Sequence, residues 1–475
     1  MIVGIVCSLA MMQGAAGQSE VTVYNQGFAL VKEVRTFDLK AGRQSISVED
    51  VPSEIEANSV GIRRLDAPGA LQVLEQNYRY DLINAQAILS KAVGSQITLH
   101  RMVPKGETET IVGTLLSAPS AIVPLYGLRY PMCLYRGMVL RTPDGKVLLD
   151  PRGEVEVPAI PEGMISRPTL VWDVDAPSAG PANVELSYIT RGMVWNADYV
   201  LTLDGAGKAD LLGWVTMTNN SGTAFKDAKL KLLAGDVHVV EQDNIVRKNL
   251  AMRLVDKSTI NAAFREESLF EYHLYKLQRP ATLRDKEIKQ LSLLQGSGVK
   301  VTKRLIVDSM RDYGIYYPGE GEVGSGDLKP QVRVEFVNSK QNNLGIPLPK
   351  GNFKVYQRDK SGSVQMLGED KIDHTPKDEK VSLVVGRAFD VVAERKRLNF
   401  QRVGPRSCRE VFQIVVRNHK DVPEEVTVLE RHYGDWKVER KSMEFAKLDA
   451  TTMQFLVQLK PDESRTIEYT VFTKW

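Results

Sequence analysis

Cysteine is scarce in this chain, with only three residues, Cys7, Cys133 and Cys408, among 475. This scarcity excludes a disulfide scaffold, and the absence of a Cys-x-x-Cys pair argues against a zinc knuckle. Cys7 lies in a segment that we expect to be removed from the mature protein. The other two could form at most one bridge, and two unpaired thiols are the favoured interpretation.

An excess of charge of one sign is also missing. The chain has 62 Lys and Arg residues against 59 Asp and Glu residues, which gives a formal net charge of +3. This balance provides no basic surface for nucleic acid, so no nucleic-acid partner is expected. With 43% hydrophobic and 25% charged residues, the composition indicates a globular protein of about three domains.

Long apolar runs are absent, since no segment offers the roughly 18 consecutive apolar residues of a membrane-spanning helix. The run from Ile2 to Met12 is too short to span a bilayer, and Ala15 and Gly17 flank Ala16 as in a signal-peptidase site. We therefore expect residues 1–17 to be a cleaved signal peptide, although no Lys or Arg precedes the run. The mature chain would be periplasmic or extracellular, without a transmembrane helix. A buried N-terminal strand is the alternative.

Recognisable catalytic and cofactor motifs are lacking. A Gly-x-Gly-x-x-Gly pattern occurs at residues 319–324, but Pro318 precedes it and Glu320 and Glu322 would repel phosphates. We therefore expect a flexible glycine loop there. None of the six histidines falls in a His-Glu-x-x-His motif, and no Gly-x-Ser-x-Gly occurs. No cofactor and no catalytic residue is predicted, which favours a protein that is not an enzyme.

Two pairs of residues are candidates for a metal site. Asp236 and His238 are two residues apart, so on a strand their side chains would share a face. Asp173 and Asp175 alternate in the same way and could serve calcium binding or acid–base chemistry. A solvated sheet surface explains both pairs as well. His374 lies in a turn-like Asp-His-Thr-Pro run, where we expect it to bond to backbone.

The chain is rich in short runs of alternating apolar and polar residues that turn residues interrupt, which predicts β-strands. Residues 25–27 (Asn-Gln-Gly) predict a turn into a strand that starts at Phe28. The clearest alternation covers Met453 to Leu459 and, after a turn at residues 461–464, Ile467 to Val471. These two runs predict a hairpin of adjacent strands that closes a sandwich edge.

One helix interrupts the strand pattern. Asp81 can cap a helix from Leu82 to about Ala92, with Gly94 just past its end. The apolar residues of this segment recur at helical spacing and predict packing against a sheet. Strand signals return over residues 95–160 and predict a small barrel-like module, which ends in a Pro-rich linker.

Three predicted strands end in asparagine, at Asn219, Asn338 and Asn418, and each is followed by a polar turn and another strand. Asparagine suits such an end because its short side chain bonds to local backbone. The unequal intervals between the three exclude a solenoid repeat. The recurrence therefore predicts sandwich modules with similar strand pairs.

From about residue 165 the sequence resembles a bacterial domain of unknown function that is found at the C-terminus of mucoidy-inhibitor-like envelope proteins. The resemblance implies an exported, mostly β protein, and it brings no established activity. Trp195, Tyr199 and Trp214 fall in alternating apolar runs of this region, so we expect core positions rather than an exposed ligand platform. The matching stretches are Ser187–Asp204, Gly213–Gly222, Leu230–Val237, Phe270–Leu294 and Leu348–Arg395.

These features predict an all-β, multidomain protein of β-sandwich modules, with a small barrel-like N-terminal insert and one short helix. The expected parts are a signal peptide (1–17), an N-terminal β region with the helix at 81–92 (18–94), a small barrel-like module (95–160), and the family domain (165–475), with β-sandwich subdomains at about 165–240 and 330–475 and a looser segment at 241–330.

Three functions are compatible with this prediction. The first is a non-catalytic envelope protein that binds another envelope protein or a cell-surface glycan. The second is a hydrolase or metal-dependent enzyme that acts on envelope polymers, provided that Asp173, Asp175, Asp236 and His238 line one cleft. The third is a structural subunit of a larger envelope assembly. The absence of a convincing catalytic constellation favours the first.

Overall fold

The computed structural model describes residues 12–13, 15–67, 69–103, 107–125, 132–235, 237–238, 264–310 and 325–475. Within these ranges the chain forms β-strands, one α-helix and two single-turn 3₁₀ helices at Ala57–Ser59 and Lys340–Asn342. The predicted all-β fold class is confirmed. Cys7 and the glycine loop at 319–324 lie outside the described residues.

The first part of the chain contains thirteen strands and the helix. They are β1 (Met12–Gln13), β2 (Ala15–Tyr24), β3 (Phe28–Leu39), β4 (Gly42–Glu49), β5 (Gly61–Arg64), β6 (Gln72–Arg79), α1 (Ala85–Lys91), β7 (Gln96–Met102), β8 (Thr108–Ser117), β9 (Ala121–Leu125), β10 (Met132–Arg136), β11 (Val139–Arg141), β12 (Val147–Leu149) and β13 (Glu154–Glu156).

The middle of the chain adds long strands. They are β14 (Thr169–Ala176), β15 (Gly180–Arg191), β16 (Met193–Leu203), β17 (Lys208–Asn219), β18 (Phe225–Ala234), β19 (Phe264–Leu269), β20 (Tyr272–Leu277), β21 (Ala281–Leu283), β22 (Glu287–Lys300) and β23 (Thr302–Asp308). Five of these strands, β19 to β23, lie in the segment 241–330 that the sequence predicted to be looser.

The strands of the last part of the chain belong to three sheets. Its strands are β24 (Gly326–Leu328), β25 (Gln331–Val337), β26 (Gly351–Arg358), β27 (Val364–Ile372), β28 (Lys380–Arg387), β29 (Val391–Gly404), β30 (Ser407–Asn418), β31 (Glu424–Arg431), β32 (Asp435–Lys441), β33 (Ala446–Lys447), β34 (Thr452–Leu459) and β35 (Ser464–Lys474).

The N-terminal sheets are shared between distant parts of the chain. One has the order β19-β20-β18-β2-β3-β15-β5, with β21 also paired to β18, and the other has the order β1-β4-β14-β6. Strands from the first 80 residues therefore pair with strands beyond residue 169. β2 begins at Ala15 and pairs with β3, so the last residues of the predicted signal peptide lie in a strand, and export stays a prediction.

The largest core is formed by these two sheets together with a five-stranded sheet of order β22-β17-β16-β26-β27. Its largest buried side chains include Trp172, Trp195, Tyr188, Tyr199 and Phe353, each at most 1% exposed. Burial of each aromatic side chain of this size contributes several kcal/mol, since apolar area contributes roughly 25 cal/mol per Å². We call this region the central core.

The second core lies between two C-terminal sheets, of order β28-β25-β23-β31-β34-β33 and β24-β29-β30-β35-β32. The first of these sheets serves both cores. Phe336 on β25 and Leu383 on β28 pack in the central core, whereas Val428 on β31 and Phe455 on β34 pack in the second. We call the second region the C-terminal core.

The predicted C-terminal hairpin is wrong in its pairing. Met453, Phe455 and Val457 are all buried on one face, as the alternation predicts. However, β34 pairs with β31 and β35 pairs with β30 and β32, so the two strands belong to different sheets. The turn between them carries the chain across the sandwich because both strands direct their apolar faces into the same core.

The predicted barrel-like module consists of a five-stranded sheet, β12-β11-β8-β7-β13, and the hairpin β9–β10. An isolated bridge between Leu134 and Arg152 links the hairpin to the approach of β13. Within the described residues no pairing closes these strands into a barrel. Leu89 and Ala92 of the helix segment pack in the core of this module, as predicted.

The helix begins later than predicted. Asn84, not Asp81, is the N-cap, because its Oδ1 atom accepts the N–H of Ala87 at 2.9 Å. Asp81 instead pairs with Lys91 at the other end of the helix, and its carbonyl accepts the N–H of Ile165 at 3.0 Å. The residues before Asn84 are thus held by backbone pairing to a distant segment.

The three strand-end asparagines occupy equivalent corners. Asn219 ends β17, Asn418 ends β30, and Asn338 follows β25, and the next strand in each case belongs to a different sheet. Each side chain is at most 2% exposed. Burial of these polar groups is stable only if their hydrogen bonds are satisfied.

Each asparagine satisfies this requirement in the same way. Its Nδ2 atom donates to one carbonyl shortly after the corner and to one just before the strand that returns beside it, while Oδ1 accepts a nearby backbone N–H. The predicted recurrence of similar strand pairs is therefore confirmed at these corners. All distances lie between 2.8 and 3.2 Å, with partners Thr223, Arg284 and Ser221 for the first, Ile346, Pro376 and Gly345 for the second, and Val422, Lys460 and Lys420 for the third.

Candidate functional site

A cavity of about 430 Å³ opens where the β2–β3 turn meets the starts of β16 and β26 and the end of β27. Four amide side chains line it: Asn25, Gln26, Asn196 and Asn352. Lys350, Lys371 and His374 add cationic or ionisable groups, and Trp195, Gly351 and Ile372 complete the wall. The cavity is therefore polar and joins segments from three separate parts of the chain.

The β2–β3 turn carries the first two amides. The predicted turn at residues 25–27 is confirmed, and Gly27 has a φ of +92°, which favours glycine. Tyr24 and Phe28 on either side of the turn stack with ring centroids 4.2 Å apart. Gln26 donates from Nε2 to the carbonyl of Val237 at 2.8 Å, which fixes the turn against the residues that follow β18.

The loop that carries Lys350 is held from beneath by two buried tyrosines. The Tyr275 hydroxyl donates to the carbonyl of Pro347 at 2.9 Å, and the Tyr199 hydroxyl donates to the carbonyl of Pro349 at 2.8 Å. Burial raises the pKa of both tyrosines, so both hydroxyls remain protonated donors. Lys350 directly follows this anchored segment, and its side chain is exposed and lines the cavity.

Gly351 is required where β26 approaches β16. A Cβ atom at this position would lie 2.2 Å from the carbonyl oxygen of Ala197 and 2.9 Å from Cε2 of Tyr199. No side chain fits there without displacing backbone, so glycine allows the parallel pairing of Ala197 with Gly351. This close approach places Asn352 beside Asp198, whose Oδ1 accepts its Nδ2 group at 3.3 Å.

His374 links the two sides of the cavity. Its Nδ1 atom accepts the backbone N–H of Lys350 at 3.2 Å, as expected for a turn histidine, and its Nε2 atom lies 3.5 Å from Nδ2 of Asn25. The latter contact is at the outer limit for a hydrogen bond. The Oδ1 atom of Asn25 is buried without a hydrogen-bond partner in the described residues. This acceptor is therefore an unsatisfied polar atom at the wall of the cavity.

The sequence-predicted metal candidates that the structure describes, Asp173, Asp175 and His238, do not line this cavity. Asp173 and Asp175 lie on β14, half-buried, opposite Ser45 and Glu75 and opposite Arg43 and Gln72 respectively. His238 follows β18, which belongs to a different sheet from β14, and its side chain is exposed. Asp236 lies outside the described residues. In the described part of the chain no three His, Cys, Asp or Glu side chains form a group suited to a metal ion. A site formed by these four residues stays a prediction.

The predicted aromatic core residues divide into two groups. Trp195 and Tyr199 are each 1% exposed, as predicted. Trp214 is half-buried on the opposite face of β17 from Val215 and Gly213, so its predicted core position is wrong. Alternation places every second residue inward, and the strand register decided which residues those are.

Both described cysteines are free, Cys133 half-buried and Cys408 buried. The predicted absence of a bridge between them is therefore confirmed. Burial, followed by the neighbouring Glu410 carboxylate, raises the pKa of Cys408 to about 12, so this thiol is not a nucleophile near neutral pH.

A second polar cluster lies in the C-terminal core. Arg395 and Glu430 are 1% and 0% exposed and make a bidentate contact, with Nε at 2.9 Å and Nη2 at 2.8 Å from Oε2 of the carboxylate. The hydroxyl of Tyr469 donates to the same oxygen at 2.6 Å, and the hydroxyl of Ser309 donates to Oε1 at 3.1 Å. The Arg395 guanidinium also lies 4.1 Å over the Phe412 ring.

The pKa values of this cluster are perturbed as in many active sites. Burial lowers the pKa of His432 to about 4, against the opposing attraction of Glu430. Burial alone would raise the pKa of Glu430, but the Arg395 charge and the hydrogen bonds from Arg395 and Tyr469 leave it below its usual value. Because these side chains are enclosed between two sheets, the arrangement stabilises the sandwich and offers no opening to a substrate.

Sequence reasoning did not find the cavity residues. The stretch from Leu348 to Arg395 was singled out only by resemblance, and residues 25–27 only as a turn. The glycine at position 351 between Lys350 and Asn352 is the nearest to a local signal, because a glycine inside a strand indicates close backbone approach. No spacing in the sequence connects Asn25 with residues beyond position 350.

Comparison with known families assigns one region of the chain. Residues 21–98 match the model of an N-terminal domain of unknown function (DUF4140). The match includes Asn25 and Gln26 of the cavity and the helix α1. No curated protein matches the chain. None of the helices that the structure describes has the length and apolar character needed to cross a membrane.

Proposed function

We propose that this protein is a non-catalytic binding protein of the bacterial cell envelope, and that the cavity between the β2–β3 turn and β26 binds part of a cell-surface glycan. The observation that carries the proposal is the set of four amide side chains converging on one cavity beside Trp195. An amide both donates and accepts hydrogen bonds, which matches the hydroxyl groups of a sugar. The cavity volume falls within the range of about 300–1,000 Å³ of small-ligand sites.

Export belongs to the same proposal. It is supported by the apolar N-terminal run and the small residues at Ala15 and Gly17, and by the resemblance of residues 165–475 to a domain of mucoidy-inhibitor-like envelope proteins. N-terminal sequencing of the protein from the periplasmic and secreted fractions tests it. A mature chain that starts near residue 18 is expected, and retention of Met1 in the cytoplasm would contradict it.

Binding is tested on the full mature chain. Oligosaccharides from bacterial surface polymers are screened on an array, and those retained are titrated by calorimetry. Asn25→Ala and Asn352→Ala are each expected to weaken binding about fivefold to tenfold, because each removes hydrogen bonds to the sugar. Asn77→Ala, an exposed amide on β6, is the matched control and should bind as the wild type does.

Two outcomes would overturn the proposal. One is the absence of binding to any surface oligosaccharide. The other is release of shortened products from a polymer, with turnover abolished by a change at Asp173, Asp175, Asp236 or His238, which would favour the hydrolase or metal-dependent enzyme instead. A metal analysis of the purified protein accompanies the turnover assay.

A further inference from the structure

We infer that the ligand of this cavity is an anionic saccharide, whose acid group is bound by Lys350 and Lys371. The inference rests on the proposed binding function and adds the charge of the ligand. It follows from the distribution of charge around the cavity and from the absence, among the described residues, of an ion-pair partner for either ammonium group.

The lining of the cavity has cationic groups and lacks acidic ones among the described residues. Lys350 and Lys371 both line it, whereas no Asp or Glu does. Lys371 pairs with Asn352 across the β26–β27 ladder, and Lys350 precedes Gly351, the partner of Ile372. The two lysines are therefore held on adjacent strands at the same end of one hairpin.

Neither ammonium group is neutralised within the described residues. The backbone N–H groups of Lys350 and Lys371 donate to His374 and Asp370, but their side chains make no hydrogen bond or ion pair there. Several lysines on other described strands do form such ion pairs. Lys380, for example, lies 3.0 Å from Glu335, and Lys231 lies 2.6 Å from Glu20.

Three carboxylates that neighbour the lining residues, Asp198, Asp370 and Asp373, form no ion pair with Lys350 or Lys371 among the described residues and accept hydrogen bonds from other groups. Asp198 accepts the Thr216 hydroxyl at 2.6 Å and the amide of Asn352 at 3.3 Å. Asp370 accepts the backbone N–H of Val384 at 2.7 Å, and Asp373 accepts that of His374 at 2.9 Å. Two lysine charges that have no ion-pair partner among the described residues thus line a cavity whose other polar side chains are four amides and His374, with no carboxylate. This lining favours a ligand with an acid group.

The amides and the lysines would recognise different parts of one ligand. Asn25, Asn196 and Asn352 match hydroxyl groups, while the lysines are compact charges without the planar fork of arginine. A lysine ammonium group therefore binds a carboxylate or a phosphate without selecting between their shapes. The shared chemistry is a sugar with one acid group, and separate arms of the test distinguish its two forms.

The test is calorimetric titration of the mature chain with digalacturonate, with its carboxyl-reduced neutral counterpart, and with galactose phosphate. The wild type is expected to bind at least one acidic probe about tenfold more tightly than the neutral one, and only the acidic affinity should fall with added salt. Whichever acidic probe binds more tightly identifies the acid as carboxylate or phosphate.

Lysine variants locate the effect. Lys350→Gln and Lys371→Gln are each expected to weaken acidic binding about threefold, since each removes one solvent-accessible charge, and to weaken neutral binding by a smaller factor. Lys360→Gln, an exposed lysine at the turn end of the same hairpin, is the matched control and should have no effect. Thermal unfolding of each variant establishes that it is folded.

The outcomes separate this inference from the proposed function. The inference of an acidic ligand is wrong if the neutral probe binds as tightly as the acidic probes or more tightly, or if neither cavity variant weakens acidic binding. The proposed glycan-binding function would then stand, with a neutral glycan as the ligand. Absence of binding by all three probes and by the surface oligosaccharides of the array overturns both.

Discussion

The cavity and the C-terminal core both gather polar side chains within an apolar sandwich, but with opposite results. In the C-terminal core, Arg395 and Glu430 are almost fully buried and satisfy each other together with Tyr469. In the cavity, Lys350 and Lys371 are exposed and have no ion-pair partner in the described residues, and the buried Oδ1 atom of Asn25 is left without a hydrogen bond there.

This difference teaches which polar clusters can act on a ligand. The C-terminal cluster has the larger pKa shifts and by electrostatics alone resembles an active site more closely. Its charged groups, however, form their hydrogen bonds and ion pair with one another inside the core. We therefore expect its residues to determine stability. In the cavity, the ammonium groups of Lys350 and Lys371 have no ion-pair partner among the described residues, and we expect the cavity residues to determine binding. The predictions below test this division.

The largest effect is expected at the buried ion pair. Glu430→Gln leaves the Arg395 charge buried without a counter-charge and should lower the free energy of unfolding by about 3–5 kcal/mol. Urea denaturation followed by tryptophan fluorescence measures this change. The double variant Arg395→Met with Glu430→Leu should recover much of the loss, because it removes both charges. A loss below about 1 kcal/mol for Glu430→Gln would show that the pair has no structural role.

The strand-end asparagines should contribute similarly to stability in two different sheets, at the end of β17 and at the end of β30. Asn219→Ala and Asn418→Ala each remove at least three hydrogen bonds and leave buried backbone groups unpaired, so each should lower the free energy of unfolding by about 2–4 kcal/mol. Asn220→Ala is the control, because this neighbouring side chain is exposed. If either corner variant behaves like the control, the equivalence of the corners is wrong.

The buried histidine should make the C-terminal core sensitive to acid. Burial lowers the pKa of His432 in the folded chain to about 4, whereas the pKa of an unfolded histidine is about 6.5. Between these two pH values the unfolded chain binds a proton at His432 and the folded chain does not. The free energy of unfolding should therefore fall by about 2 kcal/mol as the pH falls from 6.5 towards 4.5. Urea midpoints at several pH values measure this slope.

His432→Gln should abolish that part of the slope, while His238→Gln, at an exposed position, should keep it. Glu430 contributes only below this window, since its pKa is already lower than usual in the folded state. A slope that persists unchanged in His432→Gln would assign the acid sensitivity to other groups.

The smallest effect on stability is expected at the cavity. Lys371→Gln should change the free energy of unfolding by no more than about 0.5 kcal/mol, because the side chain is exposed and makes no bond in the described residues. The same denaturation assay applies. A loss comparable with that of Glu430→Gln would mean that the lysine supports the fold, and the contrast between the two regions would then fail.

Alternation in the sequence predicted strand faces well and strand partners poorly. Met453 to Leu459 and Ile467 to Val471 do bury the expected faces, yet they pair with other strands and not with each other. The period of two residues is a property of one strand, whereas pairing depends on which apolar faces meet across the core. Trp214 illustrates the same limit, since its neighbours in the run are buried and it is not.

Helix boundaries show how tertiary contacts modify a local signal. Asp81 and Asn84 are both acceptable N-caps by residue type. Pairing of the backbone around Asp81 with Ile165 holds that segment extended, and the helix therefore starts after Asn84. No local sequence pattern near residue 81 predicts this contact.

The sequence by itself determined the all-β class, the inward face of most strands and the asparagine corners, because each follows from residues a few positions apart. Only the tertiary structure decided which polar residues share a cavity and which are enclosed. The contact between Asn25 and His374 spans 349 positions of the chain. Such a contact arises from the packing of whole sheets, and no local pattern encodes it.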